Sequence, residues 1–249
     1  MDFEHVKAVF EEYLNGYDRE NDKVKLKIVH TYGVIRCSEE IGRRMGLQAE
    51  DMELAKLIAL LHDIGRFEQL KRFNSFEADT MDHATYGVKV LFEEGMIRQF
   101  IEEDTWDDVI RTAIAKHSDY ELTGITDERT LLHARLIRDA DKLDNCRVKL
   151  EDAMETLLDE VGKYAISPKV REDAFAGKCI CSKDRRTPMD YWVSYVAYFY
   201  DLNFRETLDI VAEEQYVKRI IGRVPYTNEQ TKKTMEELER QLTEYVRRK

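Results

Sequence analysis

The sequence predicts an all-α fold on three observations: apolar residues recur at steps of three and four, capping signals stand ahead of those runs, and glycine and proline are scarce, at 11 and 3 of 249 residues. Leu54, Leu57, Ile58, Leu61 and Ile64 keep the helical step and predict one helix with a buried face. Thr105, with Asp108 three residues on, resembles a capping box opening a helix whose apolar side is Val109, Ile110, Ala113 and Ile114. Leu132, Leu136, Ile137, Ala140 and Leu143 predict a third helix. Thr227 and Gln230 make a second capping-box signal, ahead of a helix with Met235, Leu238, Leu242 and Tyr245 on one face. Gly46 and Gly95 follow apolar helical stretches and suit the left-handed residue that stops a helix.

Segments 66–80, 118–128 and 176–190 lack this periodicity and predict irregular backbone. The last contains Gly177 and Pro188 and suits a short hairpin near 177–187, ahead of a C-terminal helical extension over about 188–249. The aromatic stretch Tyr191, Trp192, Tyr195, Tyr198, Phe199 and Tyr200 reads as a packing helix, in the core or at a dimer contact, with a substrate-pocket wall as the alternative. With no internal repeat and no sharp shift of composition, residues 1–249 are expected to form a single helical domain.

A net charge of −11 opposes binding to a nucleic-acid polymer, whose phosphates it repels. It does not oppose a small anionic substrate, because a bound metal inverts the local field. The acidic start MDFEHVKAVFEEY does not read as a signal peptide, and no apolar run approaches a membrane span. The expectation is therefore a cytoplasmic protein without a membrane partner, in which Cys37, Cys146, Cys179 and Cys181 are free thiols. The C-x-C spacing of Cys179 and Cys181 is too tight for the usual zinc site.

Of the 6 histidines, four stand in an ordered series with two aspartates. His62 and Asp63 end the strongly apolar run LIALLHDIGRF, where a carboxylate is costly unless paired or bound to a cation. His30 lies upstream in KIVHTYG, His83 follows in MDHATYG, His117 ends TAIAKH, and Asp141 sits in RDADKLDN near Ala140 and Leu143. Singly, each histidine would read as a hydrogen-bonded core residue. Together they form a donor set suited to transition metals, since neutral imidazole is a good terminal ligand and a carboxylate can bridge two ions. His5 lies among charges near the start, and His133 is eight residues before Asp141; neither fits the series.

The order His30, His62-Asp63, His83, His117, Asp141 resembles the HD superfamily of metal-dependent phosphohydrolases. LLHDIGRF looks like that family's HD-[IL]-G-[KR] element, and DADKLDN like its terminal D-x-D-[KR]-[LI]-D element; the resemblance covers about residues 25–150. It implies an HD-type helical bundle with two divalent transition-metal ions (iron, manganese, nickel, cobalt or zinc). By the resemblance His30, His62 and Asp141 would hold one ion, His83 and His117 the other, and Asp63 would bridge. The text Lys116-His117-Ser118 lacks the His-His pair of some two-metal relatives, and no GYP motif accompanies the HD pair, which argues against a cyclic-dinucleotide substrate.

The activity so implied is hydrolysis of a phosphoester, of a nucleotide or another small phosphorylated metabolite, by a metal-activated hydroxide. Two cations about 3.5–4 Å apart can lower the pKa of a shared water toward neutrality and neutralise phosphoryl oxygens. Asp63 and Arg66 are the expected catalytic residues. Arg66, three residues after Asp63, is the expected phosphate contact, with Lys116 and Arg72 as further substrate-binding cations and Lys71 beside Arg72 as a lid contact. Lys142, beside Asp141, carries a weaker case, and Asp144 could orient a ligand histidine. The same ligand set also resembles the HD-type mixed-valence di-iron oxygenases, which is the alternative activity; a non-catalytic binding module is a third. The expected partner is a small phosphorylated substrate, and a homodimer stays open.

Overall fold

The computed structural model describes residues 1–77, 79–151, 158 and 160–248, and among them every regular element is helical. The chain condenses into two compact units, Met1–Asp141 and Lys142–Lys249.

The first unit comprises α1 (Phe3–Leu14), α2 (Asp22–Met45), α3 (Ala49–Leu61), α4 (Ile64–Phe73), α5 (His83–Val88), which runs on into a π turn over Lys89–Glu93, α6 (Ile97–Phe100), α7 (Asp107–Lys116) and the larger part of α8 (Glu128–Val148). The caps follow side-chain chemistry. Asp2 accepts from the amides of Glu4 and His5 ahead of α1, and Asn21 from those of Lys23 and Val24 ahead of α2. Gly46 at φ 71° ends α2, and Gly95 at φ 77° follows the π turn; both are the left-handed stops the sequence predicts.

Helix α3 packs against α2 and also contacts α7, while α5 packs against both α4 and α7. Leu54, Ala55 and every residue from Leu57 to Leu61 are buried, so α3 is surrounded rather than half-covered. The single helix expected through Ile64 is instead two. The backbone leaves helical geometry at Asp63 (φ −110°, ψ 20°) and restarts at Ile64. The break sets His62 and Asp63 at a buried joint, at 0% and 3% exposure.

Two other boundaries differ from expectation. Residues 66–73, expected to be irregular, continue α4, because Phe67 and Leu70 have a core to face. Helix α7 begins at Asp107 with no side-chain cap, so Thr105 does not open it; a turn from Asp104 to Asp107, with Arg98 paired to Asp107, replaces the capping box.

A half-buried cluster ties α3 to α8. His133 Nε2 lies 3.0 Å from Asp51 Oδ1, and Asp51 also accepts from Arg129 Nε at 2.7 Å. Burial holds the His133 imidazole below its ordinary pKa against the pull of Asp51. Burial would raise the Asp51 carboxyl, but the His133 hydrogen bond and the Arg129 charge hold it low. Both groups thus have folded-state pKa values below the unfolded ones. Their contribution to stability is full above the unfolded values, about 6.5 and 3.9, and is lost as pH falls below them. In urea titrations, His133→Gln is expected to flatten the fall in unfolding free energy between pH 7 and 5, by at most about 1.4 kcal/mol per pH unit for one proton. Parallel pH profiles of the variant and the parent would remove His133 from this role.

The second unit contains the end of α8, α9 (Pro168–Phe175), α10 (Pro188–Ala197), a 3₁₀ turn over Tyr198–Asp201, α11 (Arg205–Glu213), α12 (Tyr216–Gly222) and α13 (Glu229–Arg248), with α11 and α12 packed on α13. Of the six aromatics, Trp192 and Phe199 are buried, beside Val193, Val196 and Ala197, while Tyr191 is exposed and Tyr195, Tyr198 and Tyr200 are half-buried. The hairpin expected near 177–187 is not formed. Ser182–Asp184 makes a 3₁₀ turn, and the Arg186 and Thr187 amides donate to Asp190 Oδ2 at 2.8 and 2.9 Å, so those amides are not available to a ladder. Thr187 and Asp190 form a capping box for α10. Thr227 does not cap α13; its amide donates to the Gly162 carbonyl, and Asn228 accepts from the Thr231 amide instead. Among the described residues no helix is long and apolar enough to cross a membrane.

Candidate metal centre

The six candidate donors converge from five places in the fold. His30 comes from the middle of α2, His62 and Asp63 from the joint between α3 and α4, His83 from the first turn of α5, His117 from the end of α7 and Asp141 from α8. Gly65 permits the closest of these approaches. A Cβ there would lie 2.2 Å from the His83 carbonyl oxygen and 2.7 Å from the Gly87 amide nitrogen, so only glycine lets α4 and α5 meet at this depth. At the far side, the buried Arg138 of α8 donates to the carbonyls of Lys116, His117 and Asp119 at 3.2, 3.2 and 2.6 Å. It thereby holds the end of α7 that carries His117.

The two oxygens of Asp63 face different donors. Oδ2 lies 3.1 Å from His62 Nε2 and 4.0 Å from His30 Nε2, and His30 Nε2 lies 2.9 Å from Asp141 Oδ1. Oδ1 lies 3.2 Å from His83 Nε2 and 3.6 Å from His117 Nε2, and these two nitrogens are 3.1 Å apart. Donors bound to one ion at about 2.1 Å stand about 3.0 Å apart along an octahedral edge and about 3.4 Å apart in a tetrahedron. Four of the observed separations, 2.9, 3.1, 3.1 and 3.2 Å, lie near these values, while His30 Nε2 to Asp63 Oδ2 and His62 Nε2 to Asp141 Oδ1 are wider at 4.0 Å. His30, His62 and Asp141 form one set whose ligand atoms could hold a metal ion, and His62, Asp63 and His117 another.

Protonation fits the same use. His62 Nδ1 lies 2.7 Å from the Ala59 carbonyl and His117 Nδ1 2.7 Å from the Ile114 carbonyl, so each Nδ1 donates and each Nε2 is the nitrogen left for the centre. His83 Nε2 accepts from Arg66 at 2.9 Å and also carries a lone pair. His83 Nε2 and His117 Nε2 stand 3.1 Å apart, a spacing that two donors to one cation can adopt. His62 Nε2 and Asp63 Oδ1 are buried without a hydrogen-bond partner. Burial keeps His62 below its ordinary pKa and His83 down at about 4. Burial opposes ionisation of Asp63, but the Lys27 ammonium, then His62 and His117, outweigh it and hold the carboxyl well below the usual range. For Asp141 burial is similarly outweighed, first by the His30 hydrogen bond. Neutral imidazoles beside ionised carboxylates are the donor set that divalent transition metals need.

A family model for the HD domain matches residues 28–146. That segment is an HD domain. HD domains are, as a family, metal-dependent hydrolases, and the match encloses all six convergent side chains. No curated protein and no solved structure gave a significant match.

The HD domain does not gather every cation that the sequence nominated. Arg66 is brought in: its Nε lies 3.7 Å from Asp63 Oδ1. Arg72 is turned away, pairing with Glu68 at 2.6 Å on the outer face of α4 with its side chain 50% exposed. Its neighbour Lys71 donates to the Gly16 carbonyl. The lid role expected of this pair fails because the segment is helical, and six residues of helix rotate Arg72 off the Arg66 face. Lys116 pairs with Asp119 at 3.5 Å, Lys142 with Asp201 at 2.8 Å and Asp144 with Arg147 at 2.7 Å. His5 is exposed on α1, and its Nε2 lies 2.9 Å from the Gln99 carbonyl.

Lys27 was not anticipated. It lies one helical turn before His30, and its ammonium pairs with Asp63 Oδ2. Its signal in the sequence was the i, i+3 relation to His30, which puts both on one face of α2. Lys23, Lys25 and Lys27 crowd the same stretch, and the sequence does not say which turns inward.

Proposed function

We propose that the HD domain holds two divalent transition-metal ions and hydrolyses a phosphoester of a nucleotide or another small phosphorylated metabolite. His30, His62 and Asp141 with Asp63 Oδ2 would hold one ion, and His83 and His117 with Asp63 Oδ1 the other. The observation that carries this reading is the split of the Asp63 carboxylate between two groups of donors at ligand-edge spacing. Ions so bound supply Lewis acidity toward a phosphoryl oxygen and toward water.

The chain's own residues favour an anionic substrate. Asp63 and Asp141 contribute two negative charges, and Lys27 and Arg66 balance them from either side of Asp63. Two divalent ions would add four positive charges to this balanced set, so the loaded site attracts a phosphate strongly. Lys27 approaches from the Oδ2 side and Arg66 from the Oδ1 side, so a phosphoryl group set against Asp63 would lie between two donors. With two ions bound, a protein of net charge −11 would concentrate positive potential here and not over its surface.

The test is metal quantification on the purified protein, followed by a phosphatase and phosphodiesterase panel with manganese, nickel and cobalt. Turnover that needs the ion and not dioxygen supports the reading. Iron with a mixed-valence paramagnetic signal and oxygen consumption would replace it with the oxygenase. Within the panel, Arg66→Ala is expected to lower kcat/KM by about 10- to 100-fold, mostly through KM, as for loss of one charge-assisted hydrogen bond. An unaltered KM would remove Arg66 from the phosphate site.

A further inference from the structure

We infer that Gln69 is a positioning residue that aims the Arg66 guanidinium into the metal centre, an assignment that rests on the reading of Arg66 as a phosphate contact. Gln69 is on α4, one turn after Arg66, and its side chain is fully buried. A buried amide so close to a charged centre has to satisfy all its groups, and here it does. Its Nε2 donates to the Glu77 carbonyl at 2.8 Å and to Thr80 Oγ1 at 2.7 Å. Thr80 Oγ1 donates in turn to the Glu77 carbonyl at 2.7 Å, so it has a lone pair for Gln69. With both N–H groups engaged by acceptors, the amide cannot flip, and Oε1 must face Arg66, where it accepts from NH1 at 2.5 Å.

The consequence falls on Arg66. Arginine has a long side chain with much rotational freedom to lose, and a planar fork whose direction decides what it binds. Gln69 and the Phe76 carbonyl take NH1, and His83 Nε2 takes NH2. His83 Nε2 is the atom that would bind an ion, so in the loaded protein NH2 is freed beside Nε, which is buried without a hydrogen-bond partner 3.7 Å from Asp63 Oδ1. An unpartnered guanidinium N–H directed at the centre is the group a phosphoryl oxygen would meet. Gln69 is the one contact to NH1 that comes from the rigid helix carrying Arg66, since Phe76 lies in the connection to α5. A role confined to pinning that connection would engage Nε2 alone. The Oε1 contact to Arg66 is what extends it to the site.

The test uses the full chain loaded with manganese and inorganic phosphate as the probe, with phosphate affinity measured by calorimetry and metal content and thermal midpoint recorded for each variant. Gln69→Met is expected to weaken phosphate about tenfold with metal content unchanged. In an Arg66→Ala background the same substitution is expected to change phosphate affinity by less than twofold. Thr80→Val, which removes a contact of the connection but leaves Oε1 on Arg66, is expected to change it by less than threefold. If Gln69→Met does not fold, Gln69→Glu, which keeps an acceptor toward Arg66 while losing both donors, is read through the same cycle. A Gln69 effect that persists undiminished without Arg66, or no effect where Arg66→Ala has one, overturns the assignment. Failure of the parent to bind phosphate, or an Arg66→Ala variant that binds as the parent does, overturns the phosphate reading and the Gln69 assignment with it.

Discussion

Asp63→Asn is expected to lose both metal ions and to reduce turnover by at least about 10³-fold, while the helical circular dichroism stays close to that of the parent. The carboxylate faces His30 and His62 through one oxygen and His83 and His117 through the other, so one substitution weakens both sites. An amide offers a single weak oxygen donor and no charge. A metal ion contributes several kcal/mol of transition-state stabilisation, and each 1.4 kcal/mol is a factor of ten in rate. The fold is expected to survive because asparagine keeps the shape of the side chain at the joint. The Arg66 amide still bonds to the backbone carbonyl of residue 63, at 2.8 Å in the parent. Lys27, whose side chain is 12% exposed, can turn to water. Elemental analysis and circular dichroism on the same preparation decide the matter. A variant that kept two ions, or that lost its helices, would make Asp63 a structural residue.

Gly65→Ala is the second large effect. The added methyl would meet backbone, not side chain: the His83 carbonyl at 2.2 Å and the Gly87 amide at 2.7 Å. A side chain can swing aside, but here relief requires α5 to move as a body, and His83 is on its first turn. Overpacking of this kind costs about 1–3 kcal/mol even where side chains can adjust, and a backbone clash belongs at or above the upper end. For a chain of this size, about 3 kcal/mol corresponds to a fall in Tm of about 6–12 °C. The expected signature is therefore double: a lower Tm and a metal content near one ion per chain, because His83 leaves its partners while His30, His62 and Asp141 stay. A variant with the parent's Tm and two ions would show that α4 and α5 tolerate separation.

The six candidate donors were legible because each violates its surroundings. A histidine-aspartate pair at the end of LIALLHDIGRF is chemically out of place in an apolar run, and a family pattern relates such violations to one another. The C′ glycines 46 and 95 were legible for a similar reason, since few residues adopt positive φ at low cost. Boundaries were less so. Ile64 keeps the apolar step of α3, so nothing in the periodicity reports the break at Asp63 that aims both ligands. Thr105 and Thr227 match a capping pattern, but the turn from Asp104 to Asp107 and the Asn228 side chain stand at the observed starts, and the Thr227 amide is taken by Gly162, which is remote in sequence.

By itself, then, the sequence determined the helical class and the chemical types available for a metal centre, because periodicity and residue chemistry are written locally. Which cations face that centre was decided by tertiary structure alone. Arg66 and Arg72 are alike as residues and lie on one helix, yet the packing of α4 on α5 turns the first onto His83 and leaves the second to Glu68 in solvent. Lys27 meets Asp63 only because α2 and the α3–α4 joint come together. The direction of a long, flexible side chain depends on what lies across from it, and that neighbour is close in space while distant along the chain.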